Sequence, residues 1–370
     1  MSPSAETIAG LMSSVTGGRV SVLGIDRVGL WAVWRARLEV DDQPASVIIK
    51  GLRRNEIGFR TDPRQMANEA AALTFLNTLG FEPIPRLIAG APDENLLVLE
   101  DLAPRSPLDE QLRKWGAATL QPERLAFART MGALAAATAG QRGAWDQHRA
   151  IWGEPDPALS LERGLGPLWA QGRPRIEAAD LPFSGAVESD LTRALGLMAD
   201  PGPFLAMTNG DPEPNNFLCE GADGRLIDFE AAAYRHALTS ATWFTTPGPA
   251  WMVVADPIAL DLEAAFRSAL AAGVPQAEDD ALFGEGLAAT NLVWGLERLA
   301  RLDTLDRRPP GESSRAQMIS TLEAAAAVGR RWRKLPQLTG WVERVAATLR
   351  RRWPDADVDL GALAPYTPRA

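Results

Sequence analysis

Cysteine is nearly absent from this chain of 370 residues, because Cys219 is the only one. A single cysteine excludes an internal disulfide framework and favours a reducing compartment. Since Cys219 lies in a short apolar run, we expect it in the core. The first 16 residues lack a basic start followed by a continuous apolar run, so we expect no signal peptide. No stretch approaches the roughly 18 to 20 apolar residues of a membrane span. We therefore expect a cytoplasmic protein without a membrane partner.

Positive charge is also scarce, with 38 Lys and Arg residues against 47 Asp and Glu residues and a net charge of −9. This balance argues against a nucleic-acid-binding protein. It is compatible with a cationic or metal-bound ligand, although a solvated acidic surface is the favoured explanation. A hydrophobic fraction of 46% and a charged fraction of 23% are typical of a globular protein, and the length allows two domains. Nothing in the composition indicates an obligatory protein partner.

Residues 209–216 form a polar block, Asn-Gly-Asp-Pro-Glu-Pro-Asn-Asn, that follows an apolar lead-in. Its two prolines cannot continue a helix or a central strand, so we predict a rigid loop. The apolar runs 217–219 and 225–227 are typical of short strands, and the turn residues 221–224 between them predict a hairpin. Such a hairpin returns Asp228 to the side of the polar loop.

Asp211, Asn216 and Asp228 would then lie close together, and their side chains offer oxygen atoms only. Oxygen ligands suit Mg²⁺ rather than zinc, and Mg²⁺ is usually held by one or two carboxylates together with substrate phosphates. The set therefore favours a site for a nucleotide and its metal. The alternative is that Asp, Asn, Gly and Pro are ordinary turn formers here.

The N-terminal third alternates between apolar and polar residues in the manner of an antiparallel sheet. A short helix over residues 5–14 precedes the strands. We predict five strands, which are residues 19–25, 32–40, 45–50, 86–89 and 96–100. The turn between the first two strands contains Gly29, and a single glycine is a weak signal for a loop that covers phosphates.

Lys50 ends the third strand on the same face as Ile48, so it points across the sheet. Asp62 and Pro63 predict the start of a helix that runs to Leu79. Glu69 lies on the apolar face of that helix, where a carboxylate needs a cation because an unpaired half-buried charge is costly. Lys50 is the natural partner, as in kinases, where a strand lysine held by a helix glutamate contacts nucleotide phosphates. The alternative is a lysine that reaches solvent at the strand end.

Beyond residue 102 the pattern is almost entirely helical apart from the hairpin. We predict a nucleotide-binding domain over residues 1–102 and a helical domain for catalysis and acceptor binding over residues 103–370. Expected helices, set by caps and apolar periodicity, cover residues 122–138, 256–272, 279–302, 313–333 and 338–351. Residues 353–370, rich in Pro and Asp, are expected to be a loose tail. We expect His236 to anchor its segment, and Trp243, Trp251 and Trp294 to pack in the core.

The motifs resemble those of the aminoglycoside phosphotransferase and choline kinase family, small-molecule relatives of the protein kinases. That family has His-Gly-Asp, four residues, Asn, and then Asp-Phe-Glu or Asp-Trp-Glu about a dozen residues later. Asp211 and Asn216 keep this spacing, and Asp228-Phe229-Glu230 follows. The resemblance spans about residues 29–234. It implies an α+β, bilobal protein-kinase-like fold with a five-stranded antiparallel sheet, one key helix and a mainly helical second lobe.

The resemblance also implies roles for individual residues. Asp211 would be the catalytic carboxylate, and Asn216 and Asp228 would hold Mg²⁺. Lys50 would contact the nucleotide phosphates, and Glu69 would orient Lys50. Gly29 would lie in the loop that covers the phosphates. The backbone from Leu99 to Leu102, which includes Glu100, would bind the purine.

The activity implied is transfer of phosphate from ATP or GTP to a hydroxyl of a small molecule. The acceptor would be an aminoglycoside-like amino sugar, or choline or another amino alcohol, and the sequence does not decide between them. The chain departs from the family at Asn209, which stands where the family has His. Asn can replace the hydrogen bonds of a scaffold His, but a catalytically inactive nucleotide-binding regulator remains the alternative of a different class.

Overall fold

The computed structural model describes residues 3–28, 32–52, 61–91, 95–159, 172–174, 183–246, 252–253, 260–311, 313–356 and 367–368. Gly29, the residue predicted to lie in a phosphate-covering loop, falls outside these ranges, as does Trp251. Among the described residues, no helix has the length and hydrophobicity needed to cross a membrane.

A five-stranded antiparallel sheet occupies the N-terminal part of the chain, as predicted, in the spatial order β1-β2-β3-β5-β4. The strand β3 is therefore central, with a neighbour on each side. The strands are β1 Val20–Arg27, β2 Val33–Val40, β3 Gln43–Gly51, β4 Leu87–Ala91 and β5 Leu96–Glu100. Two helices accompany the sheet, α1 Ala5–Thr16 and α2 Pro63–Thr78. The sheet places the end of β3 next to the start of β5, where Lys50 pairs with Leu97.

The two faces of β3 belong to different hydrophobic cores. Val47 and Ile49 pack in a small core with Ile8 of α1. Ile48 packs against the larger core that contains Leu73 of α2. Because successive strand residues point to opposite faces, Lys50 shares the face of Ile48 and is directed toward α2. The predicted orientation of Lys50 is confirmed.

Two hairpin turns are shorter than the sequence predicted. β2 and β3 pair up to Val40 and Gln43, so the turn consists of Asp41 and Asp42 alone. Both residues have positive φ, 48° and 62°, which two-residue turns require to match the twist of the strands. In the same way, Glu220 pairs with Asp223 across a two-residue turn. Pro44 and Gly224 therefore lie within strands.

The rest of the described chain is mainly helical, and with the five-stranded sheet it gives the predicted α+β fold class. The α-helices are α3 Leu108–Trp115, α4 Gln121–Thr138, α5 Arg142–Ala150, α6 Gly185–Ala199, α7 Thr242–Thr245, α8 Leu260–Ala271, α9 Asp280–Arg298, α10 Leu302–Asp306, α11 Ser313–Trp332 and α12 Pro336–Arg352. The remaining strands are β6 Ser106–Pro107, β7 Leu205–Thr208, β8 Phe217–Glu220, β9 Asp223–Leu226, β10 Ala233–His236, β11 Met252–Val253 and β12 Thr367–Pro368.

Several helices differ from their predicted bounds. The helix predicted over residues 279–302 ends at Arg298 and is followed by the 3₁₀ turn Leu299–Arg301. The predicted start near residue 256 lies outside the described residues. The chain after α12 is not loose at first, because Trp353 is buried and its indole N–H donates to Asp306. The short helices α3, α5, α7 and α10 and the 15-residue helix α6 were not predicted.

Strands β7 and β10 pair with each other; β7 leads into the polar loop, and β10 follows the segment that begins at Asp228. Both are attached to the C-terminal end of α4 at Thr138. The Met207 N–H donates to the Thr138 hydroxyl over 3.0 Å, and the Tyr234 hydroxyl donates to the Thr138 carbonyl over 2.9 Å. The loop is therefore mounted on a helix inside the larger core.

His236, the last residue of β10, is buried and anchors its segment, as expected. Its ring stacks on Phe204 with centroids 5.4 Å apart, and its Nδ1 accepts a hydrogen bond from the Leu238 N–H over 3.3 Å. An accepting Nδ1 requires the neutral imidazole. Burial disfavours the cation and lowers the pKa of His236 to about 3.

Acid should therefore destabilise the protein through His236. The unfolded chain takes up the proton near pH 6.5, whereas the folded chain takes it up only near pH 3, so the free energy of unfolding falls as pH drops through that window. From pH 7 to pH 5 the loss from this residue should be about 2 kcal/mol. In urea unfolding, the stability difference between wild type and His236→Asn, which cannot titrate, should shrink by this amount. If the difference in unfolding free energy between wild type and His236→Asn did not change with pH, His236 would not be a buried neutral imidazole.

Candidate active site

Lys50 lies between two carboxylates at the junction of the sheet and the helical part. Its Nζ is 2.6 Å from both carboxylate oxygens of Glu69 and 2.7 Å from Oδ1 of Asp228. Lys50 and Glu69 are buried, whereas 21% of the Asp228 side chain remains exposed. The pairing of Lys50 with Glu69 that the sequence indicated is present, and Asp228 joins it. Removing either partner would leave an uncompensated buried charge, which is strongly destabilising.

Local sequence explains why these three groups meet. Asp62 caps α2 by accepting the Arg64 N–H over 2.9 Å, and Pro63 occupies the first turn, so the start of the helix is fixed. Glu69 then falls two turns later, on the face that packs beside β3. The hairpin of β8 and β9 returns the chain to the loop, where the Ile227 N–H donates to the Asn216 carbonyl over 2.9 Å. Asp228 follows directly.

Asp228 has a left-handed backbone conformation with φ of 67°. Residues other than glycine adopt this region rarely, and Asp is among those that tolerate it. The conformation turns the carboxylate toward Lys50 instead of continuing strand β9. Strain of this kind persists only where the surroundings hold the backbone in place.

The polar loop holds Asp211 through its neighbours. The Asn216 Nδ2 donates to the Asp211 carboxylate over 2.9 Å and to the Asp211 carbonyl over 3.0 Å. The Asn209 Nδ2 donates to the same carbonyl over 2.9 Å. Asn209 is fully buried, and its Oδ1 has no hydrogen-bond partner. The scaffold role expected for Asn209 agrees with these contacts, although one buried acceptor is left unsatisfied.

The pKa of Asp211 is raised to about 6. Loss of hydration is the main cause and the negative charge of Asp228 adds to it, while the Asn216 hydrogen bond and Arg298 act in the opposite direction. Asp211 is nevertheless exposed by surface area, so protein atoms crowd the carboxylate without closing it off from solvent. The direction of the shift is what matters for function, because it makes this carboxylate a better proton acceptor.

Carboxylates outnumber cations around Lys50. Oxygen atoms of Glu69, Asp228 and Glu230 lie within 4.8 Å of one another. Asn216 directs its Nδ2 at Asp211, so its Oδ1 points away and accepts from Asn215. The donor atoms available are therefore carboxylate and amide oxygens, which fit Mg²⁺. The predicted metal ligands Asn216 and Asp228 are joined through the backbone contact at Ile227.

The residues predicted to contact the purine lie at the end of β5 and after it. Glu100 pairs with Val47 of β3, three positions from Lys50, whose own partner on β5 is Leu97. Leu102 is buried, and its carbonyl accepts from the Arg105 N–H over 3.1 Å. Asp101, between them, accepts hydrogen bonds from Arg35 and Ser46. Burial by itself raises the pKa of Asp101, but these hydrogen bonds have the larger combined effect, so the pKa is lowered. The connection out of the sheet is thereby fixed to β2 and β3.

Sequence reasoning missed the charged residues on the helical side of Asp211. Arg298 lies within electrostatic reach of Asp211, Glu213 and Glu297. Burial, followed by the charge of Asp211, raises the pKa of Glu213 well above its ordinary value. Burial raises the pKa of Glu297 to about 8. Arg298 lies 4.0 Å from the ring centroid of Trp294; their separation of four residues on α9 was the only available sequence signal.

Solved structures with a similar course of the chain are small-molecule kinases. A choline/ethanolamine kinase family protein from Mesorhizobium loti is 14% identical over 89% of this chain and 92% of its own, with a TM-score of 0.44. Choline kinase from Cryptosporidium parvum is 12% identical over 94% of this chain and 99% of its own, with a TM-score of 0.47. A thermostable mutant of an aminoglycoside phosphotransferase is 14% identical over 92% of this chain and 98% of its own, with a TM-score of 0.40.

These proteins belong to the family that the sequence motifs resemble. No family model matches the chain, and no curated protein sequence matches it. At such identities and TM-scores the likeness carries no conclusion about function, which has to follow from this chain's own side chains.

Gly210 allows the loop to lie directly on the segment after Asp228. Its φ is 85°, and a Cβ added there would lie 2.1 Å from the Ala231 carbonyl oxygen. Gly202 has a φ of 55° and nothing within 4 Å of its added Cβ. Alanine at either position would have a strained positive φ, but only at Gly210 would its Cβ also collide with another part of the backbone.

Gly210→Ala should destabilise the protein by roughly 1 to 3 kcal/mol more than Gly202→Ala, because only the former also forces apart packed backbone. Denaturant unfolding of the two variants gives this comparison directly. Equal losses would show that the contact between Gly210 and Ala231 adds nothing to the strain of a positive φ.

Proposed function

We propose that this protein is an O-phosphotransferase that moves the terminal phosphoryl group of ATP or GTP to a hydroxyl of a small molecule. The observation that carries the proposal is the buried Lys50 bound to both Glu69 and Asp228, beside an Asp211 that Asn216 holds in place. Kinases use such a lysine and glutamate pair to place an ammonium at nucleotide phosphates.

The nucleotide would lie along β5 and β3. Lys50 would donate to phosphate oxygens, with Glu69 fixing the position of the ammonium, and the backbone from Glu100 to Leu102 would bind the purine. Asn216 and Asp228 would hold Mg²⁺, which when bound offsets the negative charge of the phosphates. The exposed part of Asp228 supports this role, because a ligand can reach it.

Asp211 would act on the acceptor hydroxyl. The hydroxyl oxygen forms a bond to the terminal phosphorus while the bond from that phosphorus to the oxygen of the nucleoside diphosphate breaks. The hydroxyl proton passes to the Asp211 carboxylate. The raised pKa of Asp211 supports this assignment, since a base works best when its pKa approaches the working pH. Most of the catalysis would come from positioning and charge stabilisation.

An amine-bearing acceptor, either an amino sugar or an amino alcohol, is proposed from the carboxylates near Asp211. Glu213 lies within electrostatic reach of Asp211, and an ammonium bound beside the two would favour the ionised form of both carboxyl groups. The ring of Trp294 is a poor candidate for binding a quaternary ammonium by an aromatic face, because Arg298 already lies over it.

A nucleotide-binding regulator without activity is the second candidate, and Asn209 is the observation that favours it. The unsatisfied Oδ1 of this buried amide marks a loop that is less completely bonded than it could be.

Asp211→Asn distinguishes the two candidates. It keeps the shape of the side chain and removes the proton acceptor, so nucleotide affinity should change little while phosphate transfer, including slow hydrolysis of ATP by water, falls by roughly 10² to 10⁴. The measurement is turnover with ATP and with GTP over a panel of hydroxyl acceptors. A wild type that binds nucleotide yet transfers no phosphate with any divalent metal would establish the regulator instead.

Asp228→Asn tests the metal. Asn also tolerates a positive φ, so the variant removes charge with little added backbone strain. Its thermal stabilisation by nucleotide should lose most of its dependence on Mg²⁺, whereas the exposed Asp146→Asn should behave as wild type. If Asp228→Asn and wild type respond alike to Mg²⁺, Asp228 is not a ligand.

A further inference from the structure

Asn68 precedes Glu69 on α2 and binds the segment that follows Asp228. Its Nδ2 lies 2.9 Å from the Ala232 carbonyl, 3.2 Å from the Glu230 carbonyl and 3.3 Å from the Phe229 carbonyl. Asn68 is 3% exposed, so these are buried hydrogen bonds. A single side chain therefore connects the helix that carries Glu69 to the backbone next to Asp228.

Arg149 of α5 holds Asn68 in this orientation. Its Nε donates to the Asn68 Oδ1 over 3.1 Å, and another guanidinium nitrogen donates to the Arg64 carbonyl in the first turn of α2 over 3.4 Å. Because a guanidinium can only donate, the Asn68 oxygen must face Arg149 and its nitrogen must face the three carbonyls.

Arg149 is itself fixed on its remaining sides. It is 3% exposed and also donates to the Gly153 carbonyl over 3.0 Å and to the Glu154 carbonyl over 3.3 Å. Its hydrogen-bond acceptors in the described part of the chain are one side-chain amide and three backbone carbonyls, and the carboxylate of Asp156 lies within electrostatic reach. A buried cation is costly and needs every donor satisfied, so its surroundings cannot relax without loss of these bonds.

We propose that Arg149 and Asn68 form a positioning clamp that sets the distance between Glu69 and Asp228, and through them the place of the Lys50 ammonium. The proposal rests on the proposed phosphotransferase function. Asp228 has a strained positive φ, and such a conformation persists only where the neighbouring backbone is held in place. The hydrogen bonds of Asn68 hold that backbone. Asn68 binds the carbonyls one, two and four residues after Asp228.

The clamp should act on the rate of phosphate transfer more than on nucleotide binding. Among the described residues, none of the hydrogen bonds of Arg149 and Asn68 reaches Glu100 or Leu102, where the purine contacts are proposed. A displacement of about 1 Å at reacting groups can cost about 10²-fold in rate. Arg149→Met should therefore lower kcat by about tenfold or more while the KM for the nucleotide changes less than about threefold.

Three variants make the test specific. Asn68→Asp keeps the oxygen toward Arg149 and removes the N–H donors to the three carbonyls, so it should lower kcat as Arg149→Met does. Arg149→Lys keeps the charge and one or two of the bonds, and it should recover part of the lost rate. Arg142→Met is the matched control on the same helix, because in the described part of the chain the ion pair of Arg142 is with exposed Asp146, at 3.1 Å, and its kcat should equal that of wild type.

Hydrogen exchange gives a readout that does not require activity. In Arg149→Met the amides of residues 229–234 and of α2 should exchange faster than in Arg142→Met, while those of α12 should be unchanged. Circular dichroism confirms that each variant folds, and Arg149→Lys and Asn68→Asp carry the test if Arg149→Met does not.

The clamp is refuted if the wild type is active and Arg149→Met and Asn68→Asp have the same kcat as the wild type. It is also refuted if these variants raise the KM for the nucleotide without lowering kcat. It is also refuted if exchange over residues 229–234 does not change. A wild type without turnover would overturn the proposed function, and the exchange data would still decide whether the clamp holds these segments.

Discussion

The ammonium of Lys50 is the group on which the rest of the site depends. Two carboxylates within 2.7 Å of one ammonium leave a net negative charge in a region mostly removed from water. Glu230 adds a further carboxylate to the same neighbourhood. This excess favours a second, divalent cation, and binding of that cation would also relieve the repulsion that Asp228 exerts on Asp211. Nucleotide, metal and proton acceptor are therefore linked through local charge.

The two hydrophobic cores explain how the site is divided. Helix α2 packs in the same core as the hairpin residues Phe217 and Leu226, whereas Val47 and Ile49 of β3 pack with α1. Glu69 therefore belongs mechanically with Asp228 and the polar loop, although sequence order places it with the sheet. Lys50 reaches across from the sheet to both carboxylates. The contact between Lys50 and Glu69 thus joins the five-stranded sheet to the helix that packs with the hairpin of the polar loop.

The parts of the site that could be predicted from sequence are those with a local physical signature. Strand alternation set the face of Lys50, the Asp62-Pro63 cap set the phase of α2, and a charge on an apolar helix face required a partner. Arg149 offered no such signal, because its contact with Asn68 joins residues 81 positions apart in sequence. Short helices and two-residue turns were also missed, since few residues define them and tertiary packing decides their ends.

Asn209 shows why a departure from a family motif does not by itself remove activity. The backbone of Asp211 is held by two amides at once, Asn209 at 2.9 Å and Asn216 at 3.0 Å, and Gly210 lies directly on the Ala231 carbonyl. The loop is therefore restrained by three independent contacts, only one of which involves Asn209. Its unsatisfied oxygen costs about 1 to 3 kcal/mol of stability, a penalty that falls on folding and leaves the Asp211 carboxylate where Asn216 holds it.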